Sequence, residues 1–486
     1  MTGSSDEKTP LKTVPECTES PFPETPSTRR TLTIGEAMEE LGCGLGSILY
    51  SLAPYCFLLI EGAEVTVMAV VSLILQCEWG LTKFWTSALQ VISMATCTIS
   101  GLLFSHLGDQ FGRYPIMLWT LLIILVAGLL SGLSVNLWQI MVCRALVGVG
   151  EGLGAGPAAT FSAEIPTIKY RSLSMTSVGI GWGLGTALSS GLAYLTLEPY
   201  GWKGYLIVLA LMCSPVLILL FFIRESPRYD VRVGKFAKAR ETLRRLARLN
   251  FRGSELEDFE LVQDPNVEKV EVATLYESYQ VLSRTGYLSD FWKLVAITLT
   301  GQFVYMGQIY AAPLYLNDGA CYVGKVNEEK KSCSFDQSVL FDLGVVGLAD
   351  PISVLLGLLF IDRIGRRNLF LSTCVLPIFV LIPFYFCTSS TSRVIALMAF
   401  RGLLSVFGWT NFVIAAEYFP TSVRSFTSSV VNSCYSLASI FSAFVVQFAY
   451  DISPDLLTAT LQISLVVTLV FVVNIKREMT GQQLEQ

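Results

Sequence analysis

The sequence predicts an all-α polytopic membrane protein with twelve transmembrane helices in two pseudo-symmetric bundles of six. Three observations carry that expectation. Hydrophobic residues make up 52% of the 486 residues and charged residues only 15%, against roughly 25% charged in an ordinary soluble domain, and mean hydropathy is +0.55. Apolar stretches of about 20 residues, enough to cross a hydrocarbon core of about 30 Å, recur as six, then a long polar interval, then six more. Polar motifs at the ends of these stretches repeat between the two sets at one offset of 253 residues.

Residues 1–30 are rich in Ser, Thr, Pro and Glu (Pro10, Pro15, Pro21, Pro23, Pro26). Such a composition buries too little apolar area to offset the entropy of ordering, so a disordered tail is expected. Thr33 followed by Glu36 has the spacing of a capping box and predicts a short helix over 33–41. The first bundle, within 31–223, has spans at 49–75, 84–107, 114–133, 136–162, 173–197 and 203–223. An interval at 224–290 carries a basic helix (Lys235, Lys238, Arg240, Arg244, Arg245, Arg248) with Phe236, Leu243, Leu246 and Leu249 on another face, then an acidic run from Glu255 to Asp258. The second bundle, 291–475, has spans at 291–316, 338–361, 368–389, 393–419, 426–450 and 455–475, and 476–486 form a C-terminal tail.

Orientation follows from the basic residues. With the N-terminus in the cytoplasm, the external loops hold only Lys83, Lys203, Lys325, Lys330, Lys331 and Arg393, and Arg144 and Arg401 lie within spans. The positive-inside rule therefore places both termini on the cytoplasmic side. Cys321 and Cys333 sit together in the external loop at 317–336, where an oxidising compartment permits a disulfide. With Lys+Arg 34 against Asp+Glu 39 the chain has no bulk basic surface to suggest nucleic acid. It also lacks a Walker loop, a metal-ligand spacing of Cys and His, and a Ser/His/Asp arrangement. No enzymatic reaction, cofactor or metal is expected.

The repeat is specific. Asp109-x-x-Gly112-Arg113 follows the second span and Asp362-x-x-Gly365-Arg366 the eighth; Glu164 with Arg171 closes the fourth span and Glu417 with Arg424 the tenth. Two halves inserted in the same sense imply a pseudo-two-fold axis along the membrane normal and a central cavity between them. These motifs, with Arg144-x-x-x-Gly148-x-Gly150 and Glu225-Ser226-Pro227-Arg228, resemble the major facilitator superfamily, in its sugar-porter and organic-ion branches. Thr33–Ala37, Glu61–Val65, Cys77-Glu78-Trp79, Glu225–Val231 and Ala416–Pro420 are similar to the synaptic vesicle 2-related proteins.

The resemblance implies a secondary active transporter of a small organic solute. It would work by alternating access, coupled to protons, as a monomer in a vesicle or plasma membrane. Two alternatives stay open: a transporter-shaped vesicle protein that serves as a binding or trafficking module, and a proton-independent facilitative carrier. Asp109, Arg113, Glu164, Arg171, Glu225, Arg228, Asp362, Arg366, Glu417 and Arg424 fall at cytoplasmic helix ends, where carboxylates and guanidiniums can form the ion pairs of a gate.

Inside the spans the charged inventory is Glu61, Glu64, Arg144, Glu151, Asp350 and Arg401. Charges at that depth belong beside one another or facing a cavity. Glu61 and Glu64, three apart, share one helical face and are the proton-coupling candidates, with Asp350 in the second half. Arg144, Glu151 and Arg401 are expected as buried charge partners. Trp182, Gln302, Tyr305, Trp409, Asn411 and Tyr435 are candidates to line a substrate cavity. Local likeness of Arg144–Gly152 to the anion-handling branch leaves the charge of the solute open.

Overall fold

The computed structural model describes residues 30–104, 106–251, 259–262, 275–317, 335–386, 389–419 and 421–475, without the side chains of some, including Arg171, Asp362, Arg366, Glu417 and Arg424. The two tails, Cys321, Cys333 and the acidic run 255–258 lie outside the described residues.

The first described element was not legible in the sequence. Arg30–Leu32 forms strand β1, and three residues are too few to display an alternating pattern. Helix α1 (Ile34–Leu41) then opens on a capping box: Glu36 N–H donates to Thr33 Oγ1 at 3.4 Å and Thr33 N–H donates to Glu36 Oε2 at 2.8 Å. The first four spans are α2 (Leu45–Glu78), α3 (Lys83–Phe104), and, after the short α4 (Leu107–Phe111), α5 (Arg113–Gly132) and α6 (Leu137–Glu164).

Spans five and six share one long run, α7 (Ile168–Leu211), completed by α8 (Cys213–Phe221). Gly201, at φ +63° shortly after Pro199, breaks α7 into two limbs. The limbs fold back on each other. Ser189 and Tyr205, about 24 Å apart on a straight helix, are joined by a 2.7 Å hydrogen bond between Ser189 Oγ and the Tyr205 hydroxyl.

The polar interval supplies α9 (Pro227–Arg232), α10 (Phe236–Leu249), strand β2 (Phe259–Leu261) and α11 (Leu275–Arg284). α10 carries the expected basic face, and its other face is buried: Leu243 and Leu246 are 0% exposed. It packs on α1, α2 and α9, and β2 pairs parallel to β1. Asn250, just past α10, ties this layer to the membrane bundle. Its Oδ1 accepts from the N–H groups of Gly46 and Ser47, and its Nδ2 donates to the carbonyl oxygens of Leu41 and Gly42.

The second half begins with α12 (Leu288–Asn317). Span eight is α13 (Gln337–Gly347) plus α14 (Ala349–Ile364), and α15 (Arg366–Val380) with a 3₁₀ turn at Ile382–Tyr385 forms span nine. α16 (Ser390–Glu417), α17 (Thr421–Ile452) and α18 (Pro454–Val473) complete the twelve. Span eight breaks beside Pro351, which has no N–H to donate to Gly347.

Among the described residues, nine helical runs are long and apolar enough to cross a membrane by length and composition, and one of these, Gly179–Phe221, contains two spans. α6 and α12 are the exceptions. They carry Arg144 and Glu151, and Gln302 and Gln308. The two bundles meet where α3 packs on α17, the first limb of α7 on α13 and α14, and α2 on α12.

Candidate functional site

At the end of the bundle marked by the Asp-x-x-Gly-Arg motif, Gly112 sits at φ +108°, and a Cβ there would collide with Glu225 Oε2. Only glycine allows both the turn and the approach. Glu225 lies against the start of α5, accepting the N–H of Tyr114 at 3.2 Å and that of Ser226 at 2.9 Å; burial pushes its carboxyl above the ordinary range, against these donors. Arg113, 1% exposed, donates to Asp109 Oδ1 at 2.7 Å, lies 3.3 Å from Glu164 Oε1 and stacks on the Tyr229 ring with its guanidinium carbon 4.6 Å from the centroid. Arg228 Nε donates to the carbonyl oxygen of Glu164 at 2.9 Å. Arg232, which sequence reasoning did not single out, reaches both Asp109 and Glu164 at 3.4 Å. These described bonds join the first bundle to the start of the polar interval, so here the network clamps α9 onto α4, α5 and α6.

Deeper in the first half, α2 and α7 touch backbone to backbone. A Cβ on Gly62 would strike the Trp182 carbonyl, and on Gly181 and Gly185 those of Tyr55 and Leu59. α6 is laid on α3 in the same way, through Gly148 against Ser93 and Gly152 against Cys97. Between these tight contacts lie the charges. Arg144 is paired through Nη1 with Glu64 Oε2 and donates through Nη2 to Ser131 Oγ at 2.6 Å, while Ser93 Oγ donates to the Arg144 carbonyl at 3.0 Å. Glu64 and Glu61 share a face but not a role. Glu61 is partly exposed, and its Oε2 has no hydrogen-bond partner. Glu151, expected as a charge partner, is 1% exposed with both oxygens unpartnered. It lies within electrostatic reach of Glu61, Glu64 and Arg144, and Cys97 of α3 lies within reach of Glu61 and Glu151.

The second half has a simpler core. Arg401 Nε donates to Asp350 Oδ2 at 2.9 Å, with Nη2 also 2.9 Å from that oxygen, and Asp350 is 0% exposed. Thr186 of α7 donates to the same oxygen at 3.2 Å, so a first-half hydroxyl completes a second-half ion pair. α7 gets this close because of Gly183, whose Cβ would lie 2.7 Å from Pro351 N and 2.8 Å from Asp350 Cβ.

Four of the cavity candidates, Trp182, Tyr305, Trp409 and Tyr435, gather at the same junction. Trp182 Nε1 donates to the Tyr305 hydroxyl at 3.2 Å, and the Trp182 and Tyr435 rings meet edge to face with centroids 6.5 Å apart. Phe412, which the sequence gave no reason to select, bridges Tyr435 (6.1 Å) to Trp409 (6.0 Å), and Trp409 packs on Gly179 of α7. Asn411 Nδ2 donates to Thr298 Oγ1 at 2.9 Å, leaving its Oδ1 unpartnered. Gln302 and Gln308 on α12 are each 1% exposed with neither amide atom bonded. Buried amides without partners are rare in a finished core, and here they suit a polar guest.

Of the remaining expectations, the Cys321–Cys333 pair and the side chains of Arg171, Asp362, Arg366, Glu417 and Arg424 lie outside the described residues. Cys77, at the far end of α2, is disulfide-bonded.

The chain is 25% identical over 472 residues to svop-1 of Caenorhabditis elegans, covering 94% of this chain and 88% of that one. It is 25% identical over 430 residues to the synaptic vesicle 2-related protein of Xenopus laevis, covering 87% and 77%. Among solved structures, a partially occluded inward-open form of the xylose transporter of E. coli aligns over 90% of this chain and 99% of its own, at 17% identity and a TM-score of 0.68. The profile of the sugar (and other) transporter family matches residues 50–486. The chain is thus a multi-pass membrane protein of the major facilitator fold, and it belongs to the sugar (and other) transporter family.

Proposed function

We propose that the protein is a secondary active transporter that moves a small polar organic solute by alternating access and couples that movement to protons. The observation that carries the reading is the pair of buried ion pairs, Glu64–Arg144 and Asp350–Arg401, one in each half, with aromatic rings meeting between the halves and unpartnered amides buried on α12. Relatives named for xylose transport and xylose–proton symport support the class of cargo and of coupling. In this reading a proton taken up on Glu64 weakens its bond to Arg144, and the neighbouring Glu61 offers the entering proton a first acceptor. Asp350 plays the matching part in the second half, where losing its bonds to Arg401 and Thr186 would free the two bundles to rock.

The described contacts between halves fit such rocking, because several polar ones gather at the end away from the Asp-x-x-Gly-Arg motif. Lys83 pairs with Asp451, Gln337 donates to Glu198, and Gln447 Nε2 donates to Gln76 Oε1 at 3.3 Å. That end, with the disulfide of Cys77, is read as the external or lumenal side, and the termini as cytoplasmic, in a vesicle or plasma membrane. The inner charged clamp, with the second-half motif, is read as the opposite gate.

Reconstituted protein provides the test. Uptake driven by an inward proton gradient should collapse on adding a protonophore and should be lost in Glu64→Gln. Full flux in both Glu61→Gln and Glu64→Gln would instead mark a facilitative carrier. Absence of flux for every solute, with stable capture of a partner protein, would mark a binding module.

A further inference from the structure

Taken as ionised, the side chains at membrane depth do not sum to zero. Among the described residues away from the span ends, four carboxylates, Glu61, Glu64, Glu151 and Asp350, stand against two guanidiniums, Arg144 and Arg401. Arg401 answers Asp350 and Arg144 answers Glu64. Glu61 and Glu151 remain, and the cation nearest them is already engaged. Both carry buried oxygens with no hydrogen-bond partner. The groups in electrostatic reach of Glu151 are Glu61, Glu64, Arg144 and the thiols of Cys97 and Cys213, with the Tyr205 hydroxyl beside Glu64. Of these only Arg144 is cationic.

A second, independent feature stands next to this deficit. Gly62, the residue after Glu61, lies against the Trp182 backbone, and the Trp182 ring meets Tyr435 edge to face. Tyr435 is itself an electrostatic neighbour of Glu61. Aromatic faces beside carboxylates hold organic cations, the ring supplying its negative face and the carboxylate the charge. A metal ion would need more converging ligands, and no group of three or more His, Cys, Asp or Glu placed to hold one occurs among the described residues.

We propose that the central site takes a solute carrying a positively charged nitrogen, with Glu61 and Glu151 receiving the charge and Trp182 and Tyr435 flanking it. This rests on the transport reading above and narrows its cargo to organic cations; Gln302 and Gln308 then serve the hydrogen-bonding groups on the rest of the molecule. The local likeness of Arg144–Gly152 to anion carriers is overridden, because Arg144 is spent on Glu64 and has no free charge to offer.

Binding and flux are measured separately on the full chain. In detergent, radiolabelled tetraethylammonium, choline and phenethylammonium are tested for saturable binding, with D-xylose and hippurate as neutral and anionic competitors. At least one cation should bind, and Glu61→Gln and Glu151→Gln should each weaken it roughly tenfold or more, a change of about 1.4 kcal/mol or more. If a carboxylate variant fails to fold, Trp182→Leu and Tyr435→Leu carry the same expectation. Three outcomes overturn the proposal: no saturable binding of any of the three cations, undiminished binding in both carboxylate variants, or displacement by xylose or hippurate as effective as by unlabelled cation. Cation binding lost in the variants, without flux in proteoliposomes, sinks the transport reading and leaves the site standing. Proton-driven uptake of xylose that ignores the cations does the reverse.

Discussion

In the first half one guanidinium, Arg144, lies among three carboxylates, whereas in the second half Arg401 faces one, Asp350, with a threonine from the opposite bundle completing its shell. The two arginines lie in spans four and ten, one helical turn off the 253-residue repeat, and each half surrounds its cation with different anions. A balanced pair can lock. A surplus of carboxylate is answered by a proton or by a bound cation, and in the proposed reading that makes the first half the one whose electrostatics change with what is bound. The second half instead supplies neutral hydrogen-bonding groups, Gln302, Gln308 and Asn411, and the tie across the junction.

The largest effects should come from removing the cations. Stripping one partner from a buried pair costs about 3 to 5 kcal/mol, because a charge is left uncompensated. Arg401→Gln should fall in that range, and the double variant Asp350→Asn with Arg401→Gln should regain most of the loss. Arg144→Gln should be worse, since three carboxylates then repel without any cation. Thermal unfolding of the purified variants in detergent orders them, and equal losses for the two arginines would break the comparison.

Neutralising carboxylates sharpens it, because the sign should differ between halves. Glu61→Gln and Glu151→Gln remove surplus like charge and should raise the unfolding temperature, on the order of 1 kcal/mol each. Asp350→Asn abandons Arg401 and should lower it. A drop in all three would mean that the first-half acids are as fully paired as Asp350. Thr186→Val comes next: it deletes one hydrogen bond to a charged group, about 1.5 to 3 kcal/mol, without changing charge, and should loosen α7 from α14. Hydrogen exchange at the start of α14 reads that directly.

How far the sequence shows this depends on the kind of signal. Spans are legible because about 20 apolar residues have few other uses, and the fold-back at Gly201 because Pro199 and Gly201 punctuate an otherwise continuous apolar run. The buried charges are legible as a set, since scarcity marks them. Their pairing is not. Spacing places Glu61 and Glu64 on one face, but which of them Arg144 reaches depends on how α2 lies against α6, where a Cβ on Gly154 would strike the Phe57 ring, a contact distance that no periodicity encodes. The four span-five glycines divide between partners, Gly181 and Gly185 toward α2, Gly179 and Gly183 toward α16 and α14. Strand β1 and the Asn250 clasp were missed for a different reason: three residues and one side chain carry no pattern.

The smallest effect on stability should occur where the halves meet at the end away from the Asp-x-x-Gly-Arg motif, the end proposed to be external, and there the comparison changes from energy to population. Lys83 and Asp451, 30% and 57% exposed, form an ion pair between α3 and α17 that solvent screens, so Lys83→Ala should cost only about 0 to 1 kcal/mol. Yet in the proposed rocking motion this bond exists only while the two bundles are closed at that end. The same fraction of a kilocalorie that is invisible in an unfolding curve therefore biases the closed against the open arrangement by up to about fivefold, if they are close in energy. A thiol reagent applied from the external side to a single cysteine placed at Gln447 should react faster in the Lys83→Ala background, with the unfolding temperature unchanged. An unaltered rate would mean that the halves are held shut by the deeper tie, Thr186 to Asp350, and that the external pairs follow the motion without setting it.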